Sequence, residues 1–436
     1  MLQRLTLAIW VTGLSLPVWA ETTPNPAPTY LSFDDAAKIA LSENPDLLSL
    51  RDQEESLRLQ AAQALAPNNP TFGVTNSDVP GFSPLAEGAF TIYTVAFTLG
   101  FPGKALSQSA NVRHQSESLG EQAASKEIDI LVALSNNYVS LAANAKLDKF
   151  LQDELKKATD LLKLLEKKYA AAQAAQVDLL NARVVVAGLQ HDLLANQNNR
   201  AVLLTQFLNL IRKPGSTQYR PEPPAEIEIP TLPLSLDALT NLMLKKRHLL
   251  ISAEKQLEAT QAAVTTASLQ PLPDLQLSGG MNVYNIPSAE PITGVSRDYL
   301  FGVTIAIPLF FPFNELTGIR AAAKSRDSAE EQLASQKLQA MADLQSFYTS
   351  FVSSNRDIEN SVKYVIPATK ASYDLTLLTY SLGKADYFVL NQARQTWIQA
   401  EEDLLSKQLN SAQLFNQIVQ EVGCDFMKKE GFHACL

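Results

Sequence analysis

The feature that most constrains this chain is that it is written twice. Leu31-Ser32-Phe33-Asp34 is echoed by Leu234-Ser235-Leu236-Asp237, and Pro70 by Pro273, both 203 residues on. Later, Tyr169 is echoed by Tyr380, and Asn181-Ala182-Arg183 by Gln392-Ala393-Arg394, now 211 residues on. One such match is chance, but an ordered series with a single change of spacing is an internal repeat, so one structural unit recurs. The change of spacing falls between the anchors, across a hairpin and the start of a helix.

Each copy has the same plan. A helix opens it, over about 32–66 and 235–269, rich in the strong helix formers Ala, Leu, Gln and Glu. Pro67 and Pro271 stop these helices, because Pro cannot continue the hydrogen-bond ladder. Two segments of period two follow, at about 70–78 and 90–100, and again at about 274–284 and 299–309. Tyr93, Val95, Phe97 and Leu99 share one face, Thr94, Ala96 and Thr98 the other. Copy two sets Phe301, Val303, Ile305 and Ile307 against Gly302, Thr304 and Ala306, and Leu275, Leu277, Met281 and Val283 against Gln276, Ser278 and Asn282. This alternation marks strands lying between an apolar and a polar environment. The turns at 79–88 and 286–297 are longer than a tight hairpin needs.

Long helical stretches come next, about 104–168 and 314–379. At the rise of an α-helix each is a rod of roughly 100 Å. Ile128, Leu131, Tyr138, Leu147, Leu151, Leu155, Leu162 and Leu165 recur mostly three, four or seven apart, the spacing of a packed seam. A short turn and a returning helix, about 174–211 and 384–422, complete the unit. Pro367 is expected to kink the second rod or to join two helices. The organisation read from the chain is therefore a signal at 1–20, a first repeat at 21–211, a Pro-rich extended linker at 212–233, a second repeat at 234–423 and a tail at 424–436.

The signal rests on Arg4, the apolar run from Leu5 to Leu16, and Val18-Trp19-Ala20 ending in a small residue. It is too short for a membrane helix of about 20 residues. No Cys follows the cleavage point, so no lipidated N-terminus is expected. A net charge of −9 argues against a nucleic-acid partner, which requires clustered Lys and Arg. No later run of 18 apolar residues exists, which leaves a membrane β-barrel open. Cys424 and Cys435 either pair in an oxidising periplasm or remain two thiols. His114, His191, His248 and His433 form no ligand pair apart from His433 with Cys435, so no metal site is expected. No nucleophile–base pair or phosphate loop is present, so neither enzyme activity nor a cofactor is expected.

Rods of this length cannot bury their own seams. Two hairpins supply four strands, too few to close a barrel. Open edges in lipid cost several kcal/mol for each unpaired backbone group. Oligomerisation answers both problems.

The order of signal, helix, hairpin, long helix pair and linker, then the same again, resembles the TolC-type outer-membrane efflux family over nearly the whole mature chain. Tyr380-Ser381-Leu382-Gly383, followed by Leu390 and Ala393, is similar to the family's tip signature. Ile307-Pro308-Leu309-Phe310 is similar to its strand-to-helix crossover, and Phe101-Pro102-Gly103-Lys104 resembles the heavy-metal efflux branch. The resemblance implies a mainly α fold with a small transmembrane β part, in a homotrimer with a twelve-stranded outer-membrane barrel and an α-helical tunnel across the periplasm. It implies docking to a periplasmic adaptor and an inner-membrane transporter, and passive conduction with no catalytic group. Metal ions, drugs and secreted polypeptides (the last in a type I secretion system) all remain open as substrates. A periplasmic adaptor would carry a single helical hairpin beside compact β domains, and a soluble coiled coil would not need four matched strands.

Within this frame the tip turns at 168–177 and 379–387 are the candidate site. Tyr169, Ala172, Tyr380, Gly383 and Lys384 are candidates for adaptor contact and gating, against turns that merely permit reversal. Gly383 suits a positive φ, whereas Ala172 at the matching place suggests a different turn. Family relatives carry an acidic pair on the returning helix of copy two, where this chain has Val389 and Gln392. Asp178, matching Val389, and Asp386 remain as constriction candidates, with solvated or helix-capping roles as the alternative. Phe72, Phe90, Tyr93, Phe97, Tyr284, Tyr299 and Phe301 suit the aromatic girdles of a barrel. Trp397 reads as interhelical packing.

Overall fold

The structure, a computed structural model, describes residues 28–77, 90–224, 227, 229–284, 297–307, 311 and 313–423. The expected signal at 1–20, both strand-connecting turns but for Arg297, and Cys424 and Cys435 lie outside the described residues.

The first echo in the sequence is a pair of helix caps. The Ser32 hydroxyl accepts from the Asp35 N–H at 3.3 Å, and that of Ser235 from the Ala238 N–H at 3.4 Å. Asp34 and Asp237 lie in the first turns, where a carboxylate is favoured by the helix dipole. The opening helix of each copy is not continuous, as the sequence suggested, but two helices. In copy one, β1 (Thr29–Leu31) leads to α1 (Phe33–Ser42) and α2 (Pro45–Gln63). Between them the Asn44 side chain accepts from the N–H groups of Asp46 and Leu47, with Pro45 in the first turn, a strong restart signal. In copy two the break is Arg247, extended at ψ 114, between α5 (Leu236–Lys246) and α6 (His248–Leu269).

The breaks let the short helix seal a core while the longer one runs along its neighbours. Ala36, Ala37, Ala40 and Leu47 pack against Leu131, Leu134 and Tyr138 of α3 (Lys104–Ala170) and Phe207 of α4 (Gln176–Leu210). Tyr138 donates its hydroxyl to the carbonyl of Leu31 at 2.9 Å, tying the rod to β1. The matching core of copy two joins Leu239, Met243 and Leu250 to Leu344 and Phe351 of α7 (Glu315–Asn360) and Phe415 and Ile418 of α9 (Tyr387–Val422). The guanidinium of Arg247, at the break, meets the carboxylate of Glu421 on α9 at 2.6 Å. The Pro-rich linker is more than an extended connector: its β4 (Tyr219–Pro221) pairs in parallel with β1.

The four remaining strands form one antiparallel sheet of order β2-β3-β5-β6: β2 (Thr71–Ser77), β3 (Phe90–Leu99), β5 (Leu275–Tyr284) and β6 (Arg297–Ile305). Copy one meets copy two through β3 and β5, with Phe97 opposite Leu277 and Tyr93 opposite Met281. In this register Phe72, Val74, Tyr93, Val95, Phe97, Leu99, Leu275, Leu277, Met281, Tyr299, Phe301, Val303 and Ile305 fall on one face. That face is uncovered: Phe301 is 89% exposed. The other face is mainly polar, carrying Thr75, Thr94, Thr98, Gln276, Ser278, Asn282, Asp298 and Thr304 with Ile92 and Leu300 among them. Tyr284 departs from the expected aromatic girdle. It alternates onto the polar face, where its hydroxyl donates to Asp298 at 2.8 Å. β6 ends at Ile305, so Ile307 lies beyond the ladder, and 308–310 lie outside the described residues. No described helix is long and apolar enough to cross a membrane.

The strands turn into the rods at a tied crossover. Gly103, at φ +100, precedes α3. Asp274, at the foot of β5, accepts from the Phe101 N–H at 2.8 Å and from Lys104 Nζ at 2.9 Å. The tetrapeptide 101–104 thus has a structural task at the junction of the two copies. α3 runs for 67 residues, about 100 Å. Its counterpart is divided: α7 passes through a π-helical turn, Ser361–Val365, into α8 (Ile366–Ser381). Pro367 is the cause, since it has no N–H for the carbonyl four residues back and its ring would strike that carbonyl, which a wider turn relieves.

Candidate functional site at the helical tips

Both reversals are built alike. In copy one the Ala172 N–H bonds the Tyr169 carbonyl at 2.9 Å and the Gln173 N–H that of Lys168 at 2.7 Å. In copy two the Gly383 N–H bonds Tyr380 at 3.0 Å and the Lys384 N–H bonds Thr379 at 2.9 Å. This paired closure of a helix C-terminus needs one left-handed residue. Gly383 takes it at φ +74 and Ala172 at φ +54. The turn of copy one therefore does not differ, contrary to the expectation from its Ala; the two bonds outweigh a cost of about 1 kcal/mol for a Cβ there. Replacing Gly383 with Ala should lower stability by about 1 kcal/mol and replacing Ala172 with Gly should raise it by a similar amount or less. Thermal unfolding of the two variants checks this, and equal and opposite shifts are not required, only opposite signs.

The repeat-related side chains diverge. Tyr169 is 42% exposed, whereas Tyr380 is 8% exposed and stacks edge-on against Tyr387 with centroids 5.7 Å apart. Lys168 lies over the Tyr380 ring at 5.6 Å. Burial, reinforced by Asp178, Tyr387 and Asp386, pushes the Tyr380 phenol up to about 12. Burial also raises Asp178, and the nearby charge of Asp386 adds to it. The folding thus brings Asp178, Asp386, Tyr380 and Tyr387 to one place, from the two tips of a single chain. Asp386 itself caps α9, accepting from the Phe388 N–H at 3.2 Å, while Ala175 at the matching start of α4 offers no side-chain cap. Lys384, Ala172 and Gly383 are exposed at the extremity.

Above the tips an aromatic core joins the two hairpins: Leu165, Leu179, Ala182, Tyr373, Tyr380, Tyr387, Leu390 and Trp397. Trp397 packs edge-on against Phe150 at 6.0 Å, in the interhelical role expected of it. Arg394 is buried and bonds Asn391 at 2.5 Å, and its charge beside the Tyr387 phenol partly offsets the rise that burial imposes there. Its repeat partner Arg183 instead makes an exposed pair with Glu166 at 3.2 Å. Sequence reasoning missed Tyr387 as a core residue and the exposed apolar set Val177, Leu382, Phe388 and Val389 around the turns. Apolar residues flanking the Gly383 reversal were the available signal.

A sheet with one bare apolar face and one polar face, set on paired rods with uncovered tips, defines a membrane-anchored channel subunit. The chain belongs to the outer membrane efflux protein family, whose model matches residues 36–211 and 239–423. It is accordingly an outer-membrane efflux channel, the exit duct of an efflux system. Its fold is shared with the outer membrane protein VceC of Vibrio cholerae, at 18% identity, 90% of this chain and 96% of that one, with a TM-score of 0.75. The Campylobacter jejuni outer membrane channel CmeC is similar at 14% identity over 98% of each chain, TM-score 0.71. CusC, described as changing conformation during folding and transmembrane channel formation, is similar at 17% identity over 90% and 93%, TM-score 0.74. No curated protein matches the chain in sequence. Family and structural relatives are channels, not enzymes.

Proposed function

We propose that the mature chain, released from a signal at 1–20, works as a homotrimer. Three four-stranded sheets close one twelve-stranded barrel in the outer membrane, and the rods of the two repeats, 21–211 and 234–423, line a tunnel that docks a periplasmic adaptor and an inner-membrane transporter. The observation that carries this reading is the sheet. Its edges β2 and β6 have no strand partner within the described residues, and lipid offers none, so the strands must be closed by further copies. Its apolar face then meets lipid and its polar face the lumen. Efflux substrate passes down the lumen without covalent chemistry.

We assign the periplasmic gate to the tips. Asp178 and Asp386, with Tyr380 and Tyr387, form the narrow end, and Tyr169, Ala172, Gly383 and Lys384 offer the outer surface to the adaptor. The π-helical turn above α8 supports this assignment, because it divides the second rod where a moving tip would need a joint. Light scattering on the detergent-extracted protein should give the mass of three chains. Recovery of a monomer from the soluble fraction would overturn the reading.

A further inference from the structure

We propose a divalent transition-metal site between the two repeats, held by His114, Glu117 and Glu258. It lies well away from the tips: His114 is ten residues into α3, about 15 Å along the rod from its start beside the sheet. His114 Nδ1 is 3.0 Å from Glu117 Oε2 on the same helix and 3.0 Å from Glu258 Oε2 on α6. The three ligand atoms fall within 4.8 Å of one another and all three residues are half-buried. One imidazole with two carboxylates is a donor set for Zn2+ and its neighbours in the first transition row, and three protein ligands leave a position for water. A His and a Glu three apart on one helix, joined by a Glu from a facing helix, is a sound way to point ligands into a bundle.

The present occupant is a cation. Lys255 Nζ sits 2.8 Å from Glu258 Oε2 and 3.3 Å from Glu117 Oε2. The Nε of Arg113 approaches the other oxygen of Glu117 at 3.6 Å. The ammonium shows that the carboxylates converge on a space that holds positive charge. It is borne on a flexible stem with its side chain 32% exposed, so a metal ion can displace it into solvent. The ion would then clip α3 of copy one to α6 of copy two directly beneath the barrel.

The sequence hid this site because two of its ligands stand on α3 and the third 141 residues later. The test uses the full-length, detergent-extracted protein with Cys424→Ser, Cys435→Ser and His433→Ala, which removes the tail as a competing metal binder. Zn2+ is titrated calorimetrically and by thermal unfolding. One ion per chain is expected, with a rise in Tm. His114→Gln should weaken binding about tenfold or more, as loss of a ligand must cost at least what loss of a supporting group does. Lys255→Met, which deletes the competing charge, should tighten it about tenfold. Each variant must remain trimeric and, without metal, unfold near the parent temperature. Mg2+, which favours an oxygen shell, should produce no shift. Zn2+ uptake unchanged by His114→Gln, or none even in Lys255→Met, overturns the proposal.

Discussion

Val95→Arg should abolish the assembled channel. Val95 lies midway along β3, on the apolar face and opposite Gly279 of β5, with 40% of its surface bare in a single chain. In the proposed barrel that surface faces lipid. An arginine near the bilayer midplane costs about 2–4 kcal/mol in an outer-membrane barrel. In the proposed trimer three copies insert together, so the penalty is taken three times in one cooperative step. Membranes from cells expressing the variant should yield little or no heat-resistant oligomer. Gln276→Arg is the control, one strand across, opposite Thr98 and on the other face. In the proposed barrel it enters the water-filled lumen, and it should leave assembly intact while changing ion selectivity. If Val95→Arg assembles as well as Gln276→Arg, the apolar face does not meet lipid and the barrel reading fails.

Tyr387→Ala should produce a leaking channel. Tyr387 is 2% exposed and holds the base of α9 against Tyr380 at the end of α8. Removing a buried aromatic costs about 3–5 kcal/mol. That cost falls on the last turns of one hairpin, below the π-helical turn, and not on the cores that root the rods. The trimer should therefore persist while its tip loosens, giving higher conductance in planar bilayers and cells sensitised to large antibiotics. Tyr387→Phe keeps the ring contact and gives up only the phenol beside Arg394, so it should stay close to the parent. A Tyr387→Ala trimer with unchanged conductance would remove this tyrosine from the gate.

Much of this architecture was legible before any coordinate. The helix starts near 32 and 235 were readable from the repeated tetrapeptide and the helix formers that follow it. Ser32 and Ser235 prove to be their caps, through a local hydroxyl-to-amide bond. The strand faces were readable because pleating alternates side chains whatever the partner. The tips were less readable. Ala172 looked unlike Gly383, yet the same two hydrogen bonds force the same backbone, an override of residue preference by closure of the turn. Tyr169 and Tyr380 looked alike, yet one is open and one is buried, because only Tyr380 has Tyr387 across from it. The breaks at Asn44-Pro45 and Arg247 fall within segments whose composition favours helix throughout, and only the first had a visible cause.

The sequence by itself determined the duplicated unit, the long rods and the alternating strands, since each rests on periodicity or order along the chain. It also carried the resemblance to an efflux family that the family model bears out. Only the tertiary structure decided that β3 meets β5, that both tips share one cluster of Asp178, Asp386 and two tyrosines, and that His114 faces Glu258. Those pairings join residues more than a hundred positions apart, and they are selected by how two copies of the same unit bury their faces against each other, which no local pattern encodes.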